Sequence, residues 1–385
     1  MGMTAIPLKD LRADTYFSTP VYLDESYILL TPETPVTTSL LNHLGEWDFR
    51  TVYTEGVMVD SQAVADDIPE TGEESGPITT KAAGDRENLG KVNVFYDQFV
   101  KYVETVFNRY VTKNEIPIKE LSDRIKKLCD AIVENKRYVL RIFAQSAKSS
   151  NYMVNHSVRS TILAIVLGTQ LKLPPHRLIE LGVAALVHEI GMVRLPPQLY
   201  MAGRQLTTAE RKSITTHPIL GYNILKENQF PLAICLAALE HHERMNGTGY
   251  PRALGADKIS LYARIIAVAC SYDAVTSNRP YREAREGYVG MVDILKNEGK
   301  QYDDLVIKAL VYSLSLYPIG SYVLLTNGKL AQVVDVNTDN PRFPIVLIIG
   351  SRTPDGKDTI VQTAENGLRI LKPLSKVDVD RMAVG

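Results

Sequence analysis

Cysteine is scarce in this chain: Cys129, Cys235 and Cys270 are its three thiols in 385 residues. An odd number without metal-ribbon spacing argues against a disulfide framework and points to a reducing compartment. Long apolar runs are missing too. No uncharged stretch approaches the roughly 18 residues that a membrane span needs. The first residues, MGMTAIPLKDLRAD, lack a basic segment followed by an apolar one. Gly2 is not followed by the Ser or Thr of a myristoylation signal. The expectation is a cytoplasmic protein with no membrane partner. Charge of one sign is absent as well, since 43 Lys and Arg offset 44 Asp and Glu for a net −1. Such a chain has no global pull on nucleic acid or an anionic membrane, so no nucleic acid partner is expected, and any nucleotide must be held by a local site. No internal repeat is present.

Hydrophobic residues make up 45% of the chain, enough to build cores, and the length suggests two to three domains. Residues 1–58 read as a small α+β module, with β-like runs at Val21 to Leu23, Tyr27 to Leu30 and Thr51 to Thr54, and a helix around Thr38 to Leu44. From Asp60 to Asn88 eight acidic residues face Lys81 and Arg86, with no aromatics, and residues 59–90 therefore read as a flexible acidic linker.

The period then becomes helical. Val92, Phe95, Phe99, Val103, Val106 and Tyr110 form one stripe; Leu121, Ile125, Leu128 and Ile132 form a second. Further helices are expected at about 153–171, 177–190, 208–227, 231–243, 260–276 and 285–296, so that 91–315 is all-α. Residues 316–385 read as a small β domain, a sheet or barrel, with Asn327-Gly328 as a hairpin turn and Pro354-Asp355-Gly356 as another.

Five of the seven histidines fall within the expected helices of this region: His156, His188, His217, His241 and His242; His43 and His176 lie outside them. His188-Glu189 closes the apolar segment Leu181 to Val187, ahead of Ile190 and a capping Gly191. Burying such a pair without a partner is costly, and a cation is its natural partner. His241-His242-Glu243 follows the apolar run Leu232 to Leu239. Adjacent helical residues point about 100° apart, so the expectation is that two neighbouring ions take one histidine each. Imidazole and carboxylate donors without clustered thiolates favour iron, manganese or zinc over calcium. Two such ions suit phosphodiester hydrolysis.

The segment HHERMNGTGYP at 241–251 closely resembles the HHExxDGxGYP signature of the HD-GYP family of bacterial cyclic di-GMP phosphodiesterases. Motif order agrees: His156, HEIG at 188–191, His217 in THPILGYNIL, and YDAVTSNRPYR at 272–282. The resemblance covers about residues 150–300, and PVYLDESYILL and YPIGSYVLLTNG resemble segments that accompany this domain in some members. It implies a mainly α protein, an HD-superfamily helical bundle between the two small modules. It also implies two or three divalent ions, iron or manganese first and zinc second, held by His156, His188, Glu189, His217, His241 and His242. Glu189 and Tyr250 are the catalytic residues it implies, and Tyr250, Arg279 and Arg282 the substrate-binding ones. Arg279 and Arg282, three apart on a helical or turn segment, are expected to share a face for bidentate phosphate contact. The partners implied are cyclic di-GMP and, through the GYP loop, GGDEF-type signalling proteins.

Three departures bear on activity. Glu189 stands where the family has aspartate and moves the carboxylate by roughly 1.5 Å. Met192 stands at the lysine of HDIGK and donates no hydrogen bond; losing such a donor costs about a hundredfold in rate. Cys270 replaces an expected aspartate ligand in AVACSYDAVTS, whose Asp273 is retained. Asn246 for aspartate in the GYP loop is milder. The expectation is a cyclic di-GMP phosphodiesterase attenuated by Glu189, Met192 and Cys270; the alternative is a catalytically weak or inactive cyclic di-GMP receptor or protein-docking module.

Overall fold

A computed structural model describes residues 3–19, 21–24, 27–30, 35–46, 50–60, 82–141, 151–279, 282, 284–285, 287–297, 299–314, 317–335, 337, 343–353, 356, 358–364, 367–374 and 378–379. Most of the expected acidic linker lies outside them. What is described of its end is helical, because the first long helix reaches back to Ala82.

The N-terminal strands are β1 (Thr4–Pro7), β2 (Tyr16–Phe17), β3 (Val21–Asp24), β4 (Tyr27–Leu30), β5 (Thr51–Thr54) and β6 (Met58–Val59), with helix α1 (Thr38–Glu46) between β4 and β5. Four of them form an antiparallel sheet in the order β1-β5-β3-β4, and β2 pairs with β6. Ile6 lies opposite Val52 and Tyr22 opposite Tyr53.

The helical region holds α2 (Ala82–Lys113), α3 (Ile118–Arg141), α4 (Tyr152–Gln170), α5 (Pro175–Val187), α6 (Pro197–Tyr200), α7 (Thr208–Ile214), α8 (His217–Glu227), α9 (Leu232–Glu240), α10 (Leu261–Thr276), α11 (Gly287–Lys296) and α12 (Asp304–Leu314). Both expected stripes face inward, with Val103 and Val106 of α2 and Leu121 and Ile125 of α3 buried. Helix α4 is the centre of the bundle. Asn151 caps it by accepting from the Val154 amide at 3.3 Å, and every residue from Met153 to Gly168 is buried. Burial of each Leu or Ile there is worth about 1.5–3 kcal/mol. It packs against α5 and α10, while α8 packs against α9. The helix expected over 208–227 is two helices. The first starts with a capping box, Thr207 with Glu210, and the second begins at His217-Pro218, where proline fits an N-terminal turn that needs no amide donor.

The C-terminal strands β7 (Tyr322–Leu325), β8 (Leu330–Asp335), β9 (Ile345–Arg352), β10 (Asp358–Gln362) and β11 (Ile370–Leu374) form an antiparallel sheet in the order β10-β9-β8-β7-β11. Among the described residues β10 and β11 are its edges, so the strands form an open sheet rather than a barrel. Asn327-Gly328 makes the expected hairpin turn, Gly328 having φ +75° and Asn327 Oδ1 accepting from the Lys329 amide. Pro354 and Asp355 of the second turn lie outside the described residues.

Two compact units emerge: Met1–Asp85, Glu286–Lys296 and Leu314–Gly385 in one, Arg86–Arg285 and Asn297–Ser313 in the other. The two end modules, expected as separate domains, therefore share a unit, in which Tyr288 of α11 stacks on Tyr317 and Arg369 pairs with Glu55. No helix among the described residues is long and apolar enough to cross a membrane.

Candidate metal centre

The helical unit brings all five histidines together. His156 comes from α4, His188 directly follows α5, His217 opens α8, and His241 and His242 follow α9. Glu189 stands between His188 and a short 3-10 turn, Ile190–Arg194. That turn lies so close to the first turn of α8 that a Cβ on Gly191 would overlap the His217 carbonyl oxygen. Gly191 is thus not the helix cap expected from sequence. Its missing side chain lets Glu189 approach His217.

Two sets of donors result: Glu189 with His217, His241 and His242, and Glu189 with His156 and His188; within each set the donor atoms lie within 4.8 Å of one another. Glu189 belongs to both. Its Oε1 is 3.8 Å from His156 Nε2 and 3.8 Å from His188 Nε2, and its Oε2 is 3.3 Å from His217 Nε2. The longer side chain therefore does not keep the carboxylate from either set. His241 and His242, expected to serve different ions, fall in the same set. The reason is that α9 ends at Glu240, so the 100° helical offset does not govern them, and their rings sit 4.1 Å apart.

Ring orientation is fixed from behind. His188, His217 and His241 each donate Nδ1–H to the carbonyl three residues earlier, Ala185 at 2.6 Å, Ile214 at 2.8 Å and Ala238 at 2.8 Å. A carbonyl only accepts, so each Nε2 carries its lone pair inward. His217 Nε2 and His241 Nε2 face one another at 3.2 Å. Two lone pairs at that distance repel unless a cation lies between them. The distance also matches the roughly 3.0–3.4 Å between two imidazole nitrogens each about 2.1 Å from one ion. His188 Nε2 and Glu189 Oε2 are buried without a hydrogen bond. The donor set therefore fits divalent metals.

His156 is held differently. Its Nδ1 lies 2.6 Å from Asp273 Oδ2, and Asp273 also accepts from Arg159 Nε at 2.5 Å and Ser277 Oγ at 2.7 Å. Burial alone would raise the Asp273 carboxyl, but Arg159 and His156 hold it far below the carboxylate range. Burial likewise opposes ionisation of Glu189, yet the histidines around it, His217 first, bring its carboxyl down to about 2. Burial lowers His188 to about 4 and keeps His241 and His242 neutral well below the ordinary value. These are the protonation states that metal ligands require.

The GYP turn folds back onto this centre. A Cβ on Gly249 would overlap the backbone of Glu243 and Arg244. The Tyr250 amide donates to the His242 carbonyl at 3.2 Å, and the Tyr250 ring stacks on His242 with centroids 4.6 Å apart. Glu243 is no ligand: its carboxylate accepts from the Arg252 and Leu254 amides at 2.7 and 2.9 Å and clamps the turn. Burial raises the Tyr250 phenol, which stays neutral.

A cavity of about 500 Å³ opens above the centre. His156, Glu189, His217, His242, Met192, Cys270 and Tyr250 line it. Cys270 belongs to neither donor set; burial pushes its thiol up to about 12, and its Sγ faces the Ala267 carbonyl. The two sequence-selected arginines separate. Arg279 lines the cavity, with Nη2 3.5 Å from His156 Nδ1 and its guanidinium over the Tyr152 ring. Arg282 does not: the two residues close a tight turn by mutual backbone bonds, which sends the Arg282 guanidinium to the Ala274 carbonyl. The shared face expected for three-residue spacing on a helix or turn is absent, because the backbone pairing of Arg279 with Arg282 leaves the two side chains at different partners.

Sequence reasoning missed Arg204, Arg211 and Arg244, which also line the cavity, along with Tyr152 and Tyr200. Only Arg244, inside the HHERMNGTGYP segment, carried a signal. Arg159 and Ser277, which hold Asp273, were missed as well.

Residues 141–306 match the HD domain family. The chain is 30% identical over 210 residues to the cyclic di-GMP phosphodiesterase PdeB of Borreliella burgdorferi, covering 54% of this chain and 55% of that protein. It is 31% identical over 237 residues to the cyclic di-GMP phosphodiesterase PA4108 of Pseudomonas aeruginosa, covering 60% and 57%. This chain thus spans little more than half the length of these relatives. A solved structure of Bd1817, an HDG"Y"P protein from Bdellovibrio bacteriovorus, aligns over 80% of this chain and 98% of its own, with 16% identity and a TM-score of 0.49. The HD-domain match thus spans the helical region that carries the five histidines, Glu189 and the GYP turn stacked on His242 through Tyr250.

Proposed function

We propose that this chain is a metal-dependent phosphodiesterase that hydrolyses cyclic di-GMP to pGpG or GMP. The observation that carries the reading is the Glu189 carboxylate, whose two oxygens turn to two different histidine sets. Iron or manganese suits these donors, with zinc next. His156, His188, His217, His241, His242 and Glu189 would hold the ions, which when bound supply Lewis acidity at a phosphate and a lowered pKa for water.

The chain's own residues do the rest. The carbonyls behind His188, His217 and His241 and the carboxylate of Asp273 fix the rings before any ligand arrives. Tyr250, neutral and stacked on His242, borders the cavity and limits how a substrate seats. Arg279 offers a fork of donors to a phosphate at the His156 side. Turnover is slowed by Met192, whose thioether puts no donor or charge on a phosphate oxygen, and by Cys270, which replaces a carboxylate with a neutral thiol. Glu189 does not contribute to the slowing, since it reaches both sets.

The second reading, a cyclic di-GMP receptor of little or no turnover, draws on the same two residues. A GGDEF-type protein partner at the GYP turn has no observation in its favour. The test is product chromatography after anaerobic reconstitution of the chain with iron or manganese and incubation with cyclic di-GMP. Appearance of pGpG or GMP, abolished in Glu189→Gln, supports the enzyme. Tight binding without product supports the receptor.

A further inference from the structure

Four arginines line the cavity, and three of them have other business or another place. Arg204 is neutralised by Glu210 through two bonds of 2.7 and 2.9 Å. Arg211 is exposed on α7 and donates Nε to the Leu206 carbonyl. Arg279 sits beside His156. Arg244 is half-buried, and its Nη1 donates to the Glu243 carbonyl at 3.1 Å. Its guanidinium carbon lies 5.0 Å over the Tyr302 ring, which is itself fixed by a 3.0 Å bond from its hydroxyl to Ser271. Among the described residues no carboxylate pairs with Arg244, and its Nε and Nη2 donate to nothing. Its charge acts on His242, Tyr250 and Cys270, all on the cavity wall.

We infer that Arg244 is a phosphate-binding residue of this cavity, supplying a cation that Met192 does not. A half-buried guanidinium held by an aromatic face and a carbonyl, without an anion, has already lost water on one side and keeps a donor edge for an anion to complete. The aromatic platform and the carbonyl fix its plane, so little side-chain freedom remains to be lost on binding. Arg244 stands two residues from His242, and Arg279 stands beside His156, so each histidine set has a guanidinium next to it. A cyclic dinucleotide carries two phosphodiester anions, which suits two such cations. The inference rests on the reading of the cavity as a cyclic dinucleotide site.

The test is equilibrium titration of cyclic di-GMP into the full chain stripped of metal by chelator, so that neither ions nor turnover contribute. Wild type binds; Arg244→Gln and Arg244→Met, the latter keeping an aliphatic stem on Tyr302, each weaken binding tenfold or more. Arg244→Lys loses less, and Met192→Lys added to Arg244→Gln recovers part of the loss. Arg109→Gln, removing a surface cation paired with exposed Glu115, stays within twofold and controls for net charge. Thermal unfolding of each variant confirms that it is folded. Binding by folded Arg244→Gln or Arg244→Met within twofold of wild type overturns the inference. So does binding that appears only when metal is present. If wild type binds no cyclic di-GMP with or without metal, the underlying reading of the cavity fails first and the inference falls with it.

Discussion

His217 and His241 point their Nε2 atoms at each other across 3.2 Å while both give Nδ1–H to a backbone carbonyl. Neither ring can turn its proton inward to relieve the contact without breaking a bond behind it. A cation at this point removes the repulsion. The rest of the site follows from the same arrangement, with Glu189 reaching from this set to His156 and His188.

The metal-free protein should lose stability on mild acidification. His188 titrates near 4 in the fold, below its ordinary value of 6.5, because burial penalises its charged form. The unfolded chain takes up the proton first, so the stability present above pH 6.5 declines as pH falls towards 4 and then levels off. For His188 alone the loss is about 3 kcal/mol. His241 and His242 shift the same way and steepen the decline. Urea unfolding in chelator at pH 7, 5.5 and 4.5 checks this, and His188→Gln should flatten the slope by about one proton.

Gly191→Ala should disable the centre from a distance. The added Cβ meets the His217 carbonyl, a backbone atom that cannot rotate away, so the 3-10 turn and α8 must separate. We expect a loss of about 2–4 kcal/mol and weaker metal binding. Thermal unfolding and elemental analysis read the two effects separately.

Asp273→Asn should cost both stability and metal affinity. It leaves the buried Arg159 guanidinium without its carboxylate, worth about 3–5 kcal/mol, and loosens His156, with a 10–100-fold loss in metal affinity. The metal loss should be confined to the His156 side, which a competition titration with a coloured chelator resolves as one weakened site and one unchanged.

Met192→Lys should raise kcat for cyclic di-GMP tenfold or more. Met192 lines the cavity, and a lysine ammonium there stabilises charge on the reacting phosphate where a thioether does not. Steady-state kinetics of the reconstituted variant checks this; an unchanged kcat means that the missing donor does not limit turnover.

Much of this site was legible because its ligands come in short motifs at fixed order. The apolar run ahead of His188 also announced a buried imidazole. The allocation of His241 and His242 to one set was not legible, since it depends on α9 stopping at Glu240, where the sequence Leu-Glu-His-His carries no breaker. The arginine pair shows that three-residue spacing does not by itself give a shared face on a turn: Arg279 and Arg282 pair through their backbones, and their side chains part. In the fold, β3 to β5 and β7 to β9 follow runs of alternating or apolar residues. The edge strands β10 and β11 were less visible because each carries a register irregularity that interrupts its alternation.

The most direct test of the two-set centre is anomalous diffraction at the metal edge from crystals of the anaerobically reconstituted chain. The account predicts two peaks flanking the Glu189 carboxylate, one against His156 and His188, the other against His217, His241 and His242. A single peak, or none, with these side chains ordered would contradict it.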